Sequence, residues 1–354
     1  MAARRAYRQG DLCGLREALR GEALRRGFVR AGFTTAEPLG ETAERRWGRW
    51  LAAGRAGVMR WLARERPRRL HPRDLLAEAR SILVVAAGYY AGDHGDPDAE
   101  GQGEPAGKVA RYAWGRDYHG LMRRRLAGLG RWLASAAPAY GYAASVRARA
   151  VCDSAPVDER ALAVRAGLGF IGKNTLVLDP AGGSWTLLGA LLTSIPFEPD
   201  EPIEGTCGGC RRCLEACPTQ AFVGPYELDP RRCISYRTIE AGAAGARGGR
   251  DGATGTEPDG GWRAGWAFGC DVCQEVCPFN RRPFPLSLPE LAAAEGIGPW
   301  LRREHLAGLR TEEELGRRWG RTPIVRPGLK ALRDNLARLG SKTKRARSPR
   351  KGAA

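Results

Sequence analysis

The sequence predicts a mixed domain of α/β (α+β) type, with an inserted cysteine-rich module and a small α-helical C-terminal region. Three observations carry this. Helix-period apolar segments alternate with short continuous apolar runs ahead of Pro202; eight of the ten cysteines lie between Cys207 and Cys277; and apolar residues return to helical spacing beyond Thr311. A chain of 354 residues is long enough for two or three domains.

The elements follow in order. Residues 12–31 space Leu15, Leu19, Leu24 and Phe28 as one helix face, and residues 41–53 and 58–62 continue in that manner. Residues 81–90 form a continuous apolar run of strand length. Residues 92–107, rich in Gly, Pro, Asp and Glu, read as mobile surface. A basic amphipathic helix is expected over 121–136, and a strand over 142–151 that leads into Cys152-Asp153-Ser154. A helix over 157–166 ends at Gly167, a glycine turn spans 169–174, and strands follow at 175–178 and 185–193. Residues 241–261 are so rich in Gly and Ala that they read as a flexible insert. Thr311 with Glu314 forms a capping-box signature, and Leu332, Leu336 and Leu339 share a helix face before Gly340. The expected divisions are 1–197, 198–285, 286–340 and a basic, disordered tail 341–354.

Cys207-x2-Cys210-x2-Cys213-x3-Cys217-Pro218 has the spacing of bacterial ferredoxins, in which three thiolates hold one [4Fe-4S] cluster and the fourth crosses to a second. The run Cys270-x2-Cys273-x3-Cys277-Pro278 repeats it one cysteine short. If Cys233 supplies the missing thiolate, one cluster takes Cys207, Cys210, Cys213 and Cys277, and the other takes Cys217, Cys233, Cys270 and Cys273. Zinc is the competing reading, but the first run is not separated into two pairs as zinc sites are. Met1–Gln9 is polar and basic, unlike a secretory leader, so a reducing cytoplasm is expected and disulfides are not. Cys13 and Cys152 are expected as packed side chains.

A formal charge of +18 points to a polyanionic partner, although a GC-rich coding genome gives the same arginine excess. No run of about 18 apolar residues is present, which argues against a membrane span. No Walker loop, nucleotide-binding glycine fingerprint or HExxH motif is present, so those enzyme classes have no support.

Iron-sulfur clusters move single electrons, so the flanking domain must hold a redox terminal or the substrate. Its most suggestive groups are Asp153-Ser154 and Lys173-Asn174-Thr175, an acid at a strand exit and a lysine on a glycine turn. Such an acid serves as a proton donor or, equally, as a turn or helix cap.

Several blocks carry a family resemblance. They are Arg111-Tyr112-Ala113-Trp114-Gly115-Arg116-Asp117-Tyr118-His119, Val151-Cys152-Asp153-Ser154-Ala155-Pro156, Ala166-Gly167-Leu168-Gly169-Phe170-Ile171-Gly172-Lys173-Asn174, Cys233-Ile234-Ser235-Tyr236 and Gly269-Cys270-Asp271-Val272-Cys273-Gln274-Glu275-Val276-Cys277-Pro278. Arg321-Thr322-Pro323-Ile324 and Arg333-Asp334-Asn335 extend them. With these the chain resembles the epoxyqueuosine reductases, cobalamin-dependent double-cluster enzymes of queuosine biosynthesis.

The resemblance implies a cobalamin between the α/β domain and the cluster module, with Arg69, Asp153, Lys173, Val177, Leu188, Ser235 and Val272 as its contacts. It implies that electrons pass from an external low-potential donor through both clusters to cobalt, and that the epoxide of the wobble base in a tRNA anticodon is opened. Asp153 then protonates the alkoxide, and loss of water leaves queuosine. A donor of this kind should have a raised pKa from desolvation. A cytoplasmic monomer is expected, with Arg317, Arg318, Arg321, Arg326, Lys330, Arg333 and the basic tail as candidate phosphate contacts. The alternatives are a corrinoid reductive dehalogenase, disfavoured by the missing export signal and the basic C-terminus, and a non-catalytic electron-transfer or nucleic-acid-binding protein.

Overall fold

The computed structural model describes residues 10–96, 107–246 and 264–346. Its organising element is the strand Ser81–Gly88, buried at every position. Because successive side chains of a strand face opposite ways, Ile82, Val84 and Ala86 enter one apolar core while Leu83, Val85 and Ala87 enter another. That double burial explains why the run is apolar without interruption. Thr186–Thr193 and Arg30–Thr35 flank it, and Ala148–Val151 lies beyond Thr186–Thr193. All three pairings are antiparallel, with Ser81 opposite both Thr35 and Thr193. The domain is therefore of the α+β kind.

Helices Leu12–Arg25 and Tyr118–Ala136 close the first core with Leu15, Leu19, Leu126 and Leu129, and Glu159–Arg165 closes the second with Leu162. Full burial of each such leucine contributes about 2 kcal/mol. The edge strand Arg30–Thr35 falls partly within the segment expected to be helical. The helix stops at Arg25, Gly27 turns the chain at φ 90°, and Gly32 passes so close to the next layer that a Cβ there would stand 2.0 Å from the Ala166 carbonyl oxygen. Over 142–151 only Ala148–Val151 is strand.

Two glycine-rich segments also depart from expectation. His94 is buried within an indole box, its ring edge-on to Trp114, Trp266 and Trp300 at centroid distances of 5.2, 5.1 and 5.9 Å. Residues 92–96 are thus anchored by packing that composition does not reveal, while 97–106 lie outside the described residues. Residues 241–246 complete the helix Ile234–Ala246, and 247–263 lie outside the described residues. Leu329–Ala346 continues through Gly340, and residues 347–354 of the expected tail lie outside as well. Cys152 is buried as expected, but Cys13 is exposed, because it stands on the outward face of a helix whose core face carries Leu15 and Leu19.

The cysteine module contains two equivalent short helices, Arg212–Glu215 and Val272–Glu275, packed on each other, each starting one residue before a cysteine. Just ahead of the second, Trp266–Phe268 pairs in parallel with Gly107–Val109, which also pairs with Trp300–Leu301. A third core gathers Val109, Trp114 and Phe268 with Leu315, Ile324, Leu332 and Leu336 of the C-terminal helices. Thr311 Oγ1 accepts from the Glu314 N–H at 3.2 Å while the Glu314 carboxylate accepts from the Thr311 N–H at 3.1 Å, a complete capping box for Glu312–Trp319. Among the described residues no helix is long and apolar enough to cross a membrane.

Candidate active site

The eight cysteines of the module are free thiols that sort into two neighbourhoods. Burial raises the Cys213 thiol, and the sulfurs beside it that add to the rise are Cys207, Cys277 and Cys210. Burial likewise raises Cys270, with Cys233 and Cys217 beside it, and Cys273, with Cys233 and Cys270 beside it. The neighbours of Cys213 belong to the first expected ligand set, and those just named for Cys270 and Cys273 belong to the second. Cys213 also acts on Cys273, so the two neighbourhoods meet there. No three His, Cys, Asp or Glu among the described residues converge closely enough for a single ion. Backbone N–H groups aim at the sulfurs, Lys173 N donating to Cys207 Sγ at 3.4 Å and Ala221 N to Cys217 Sγ at 3.3 Å. Such donors tune cluster potential.

Arg111 joins the module to the sheet domain. It is buried, stacks over the Trp185 ring at 4.9 Å, and donates to Asp271 Oδ2 at 3.2 Å, Glu275 Oε1 at 2.8 Å and the Gly92 carbonyl at 2.8 Å. Removing it strands the buried Asp271 carboxylate without its cation, a loss of about 3–5 kcal/mol.

From that joint an aromatic path leads to Asp153. Tyr112 and Cys270 pack on the same small cluster of Ala110, Ile234 and Trp266. The Tyr112 ring meets Tyr118 edge-on at 6.0 Å, and Tyr118 Oη donates to Asp153 Oδ2 at 2.6 Å. The same Oδ2 is 2.8 Å from His119 Nε2, whose Nδ1 is 2.6 Å from Asp117 Oδ1. The helix start explains this grouping: Asp117 caps Tyr118–Ala136, so the first two helical side chains, Tyr118 and His119, project together beside the strand exit. Asp153 itself has φ 48°, a left-handed conformation costly for a residue with a Cβ. Its N–H donates to Oε1 of the half-buried Glu159 at 2.6 Å.

The protonation pattern reverses the expectation for Asp153. Burial pushes its pKa up, but the hydrogen bonds from His119 and Tyr118 and the charges of His119 and Arg326 outweigh it, so the carboxyl lies below its ordinary range. Its side chain is also 52% exposed, which weakens the desolvation argument. The proton resides instead on His119: burial lowers its pKa, yet Asp117 and Asp153 together raise it to about 9. Glu159 is raised by burial and by Asp153 to about 8.

The other expected site residues separate into groups. Lys173 does not stand with Asp153; its ammonium donates to the carbonyls of Gly208 at 2.5 Å and Cys210 at 2.9 Å, closing the loop of the first ligand set. Arg69 is buried, stacks over Trp61 at 4.9 Å, and its Nε has no hydrogen-bond partner. Val177 is buried in the second core, where Leu188 packs at its edge, whereas Val272 belongs to the Tyr112 and Cys270 cluster. The Ser235 N–H bonds the Cys233 sulfur. Of the basic candidates, Arg317 pairs with Glu313, Lys330 with Asp334, Arg326 with Glu240, and Arg333 bonds the Leu306 and Leu309 carbonyls. Arg318 lies over the Trp319 ring, and Arg321 is exposed. Tyr118, His119 and Glu159 received no role from sequence, although the first two lie in a block already singled out.

A double-cluster module joined by aromatic contacts to an acid and imidazole site defines an iron-sulfur oxidoreductase. Residues 69–154 match the family described as epoxyqueuosine reductase QueG, DUF1730, and residues 206–280 match the 4Fe-4S double cluster binding domain. The chain is 44% identical over 270 residues to the epoxyqueuosine reductase of Synechococcus sp. (strain RCC307), covering 75% of this chain and 76% of that one. It is 39% identical over 312 residues to that of Xanthomonas campestris, covering 88% and 82%. A crystal structure of epoxyqueuosine reductase with an epoxyqueuosine-modified tRNA-Tyr stem loop superposes with a TM-score of 0.76 at 31% identity, covering 92% of this chain and 80% of the other. A Bacillus subtilis epoxyqueuosine reductase whose catalytic aspartate loop is swung out of the active site also gives 0.76 at 31% identity, with 92% and 81% covered. The chain belongs to the epoxyqueuosine reductase family.

Proposed function

We propose that this protein reduces epoxyqueuosine to queuosine at the wobble position of tRNA anticodons, with Asp153 as the proton donor to the opening epoxide. The conversion takes up two electrons and two protons and releases one water. The observation that carries the reading is the path of contacts from Asp153 through Tyr118 and Tyr112 to the apolar group on which Cys270 packs, which supports a link between the proton site and the inner thiolate set.

Cobalamin is the electron-accepting group of the family, and the residues here fit it. The buried Arg69 Nε lacks a partner and offers a donor to a corrinoid amide or phosphate, with Val177 and Leu188 as apolar contacts and Ser235 and Val272 on the module side. When bound, cobalamin supplies a strongly reducing, nucleophilic metal that opens the epoxide. The protein's own contribution is the proton. At neutral pH His119 is an imidazolium hydrogen-bonded to an ionised, half-exposed Asp153. Covering that carboxylate with cofactor and base dries the pair, and drying favours the neutral partners, so the proton moves from His119 Nε2 to Asp153 Oδ2 and on to the developing alkoxide. Tyr118, whose own proton is held far more tightly than usual by burial and by Asp153, stays protonated and orients the carboxylate.

The divisions 1–197, 198–285 and 286–340 suit this reading, the first holding the proton site and the second the electron path. Reconstitution with iron, sulfide and cobalamin, followed by turnover of an epoxyqueuosine-containing stem loop under a strong reductant, tests it. Nucleoside mass analysis should show loss of one oxygen. Absence of that product with both cofactors confirmed overturns the assignment.

A further inference from the structure

We infer that an open groove beside Cys277 is the port through which electrons enter, and that it receives an acidic one-electron carrier protein. The inference rests on the double-cluster reading above and names the partner that reading leaves unidentified. The groove, of ≈ 570 Å³, has Ala216, Val276, Cys277 and Pro278 in its lining, with Arg212 and Arg281 at its rim. It thus opens directly on a thiolate of the outer ligand set.

The direction of flow follows from the two neighbourhoods. Cys270 of the inner set packs on the same apolar group as Tyr112 and so lies toward Asp153, and the helices Arg212–Glu215 and Val272–Glu275, which carry Cys213 and Cys273, pack on each other where the two sets meet. An electron delivered at Cys277 therefore enters the outer set, crosses where Cys213 faces Cys273, and leaves on the Asp153 side.

The charge around the groove selects the partner. Arg212, Arg281 and Arg282 are exposed and have no side-chain ion-pair or hydrogen-bond partner among the described residues. The groove's two carboxylates are already matched, Glu275 by Arg111 at 2.8 Å and Glu215 by Arg211 at 3.6 Å. Three of the C-terminal cations differ, Arg317, Arg326 and Lys330 each being paired with a carboxylate. A small apolar floor over a metal ligand, with unpaired Arg212 and Arg281 in its lining and Arg282 next in sequence, complements a carrier whose prosthetic group sits near a surface rich in Asp and Glu. None of the groove's lining residues belongs to the Asp153, Tyr118 and His119 group, so a nucleic acid bound here would cover the electron entry and not the proton site. At each docking the carrier's reduced group gives up one electron and the outer cluster gains it, so two dockings supply the pair that opening and dehydrating the epoxide consumes.

The test uses the cluster-loaded protein and a flavodoxin in its hydroquinone form, which becomes the semiquinone as it gives up one electron. Stopped-flow bleaching of the clusters is followed against ionic strength for the native protein and for the combined Arg212→Gln, Arg281→Gln and Arg282→Gln protein. The native second-order rate should fall steeply with salt, and the triple substitution should lower it about tenfold at low salt. Lysine at the same three positions should restore most of it. Bleaching by dithionite and stem-loop affinity should not change. If the triple variant loads clusters poorly, Arg212→Gln and Arg281→Gln alone, each expected to slow transfer about threefold, carry the same test. An unchanged carrier rate overturns the port, as does a loss confined to stem-loop affinity, which would mark a nucleic-acid surface, or an equal loss with dithionite. Dithionite-driven turnover that yields no queuosine overturns instead the functional reading beneath it.

Discussion

Replacing His119 with asparagine removes one titrating group while leaving a side-chain donor beside Asp153. In the native protein burial alone would lower the His119 pKa, but the carboxylates of Asp117 and Asp153 raise it from 6.5 to about 9. At about 1.4 kcal/mol per tenfold change in proton affinity, that gain stabilises the folded state by about 3 kcal/mol. Asp153 is half exposed and partly screened by water, so about 2 kcal/mol is the expected measurable difference. The folded pKa lies above the unfolded one, so this stabilisation is whole below pH 6.5 and is lost as pH rises through about 9. Denaturant unfolding of the native and His119→Asn proteins at pH 6 and pH 10 should therefore show a difference that shrinks by about 2 kcal/mol at the higher pH. Single-turnover reduction should lose its alkaline limb near pH 9 in the variant, with the rate down by about a hundredfold or more and stem-loop affinity unchanged. A variant that keeps the alkaline limb, or whose stability deficit does not vary with pH, would refute the placement of the proton on His119.

Glu159→Gln keeps an acceptor for the Asp153 N–H, so turnover should stay within about threefold, whereas Glu159→Leu leaves that N–H unpartnered and should lower turnover by about tenfold or more. Because burial raises the Glu159 carboxyl from 4.5 to about 8, the native protein loses stability as pH rises from 4.5 to 8, so Glu159→Gln should melt higher than the native protein at pH 9, by a smaller margin at pH 6, and not at pH 4. Cys233→Ala should lose about half of the protein's iron by colorimetric assay and all turnover, while Cys13→Ser should lose neither. Thr311→Ala removes the reciprocal cap of an exposed helix and should cost about 1 kcal/mol in chemical denaturation without changing cluster content.

What was legible in the sequence is what short-range constraints specify. The cysteine spacing, the Thr311 and Glu314 pair and the strand around Val84 each depend on neighbours a few residues away, or on complete burial of both faces. Features made by distant segments were not legible. The sequence groups Lys173, on a glycine turn, with Asp153 at a strand exit, yet the Lys173 ammonium bonds carbonyls of the cysteine loop. The charge state of Asp153 was misjudged because desolvation could be argued from type alone, whereas the donors that outweigh it come from a helix start 34 and 35 residues earlier. Composition also failed at His94, where a segment rich in Gly and Asp is fixed by three tryptophans, two of them far along the chain. The strand Arg30–Thr35 offers only Phe33 as a large apolar residue, and an edge position needs little more.

The position of Cys13 has a practical consequence. Once iron claims the eight thiols of the module, and with Cys152 sealed in the first core, the remaining sulfhydryl stands at the surface on a helix fixed to that core. A maleimide dye or nitroxide will therefore attach at a single defined point of the loaded protein without any cysteine having been engineered. The chain carries its own labelling handle, from which spectroscopic distances to a bound stem loop or to a docked carrier become measurable.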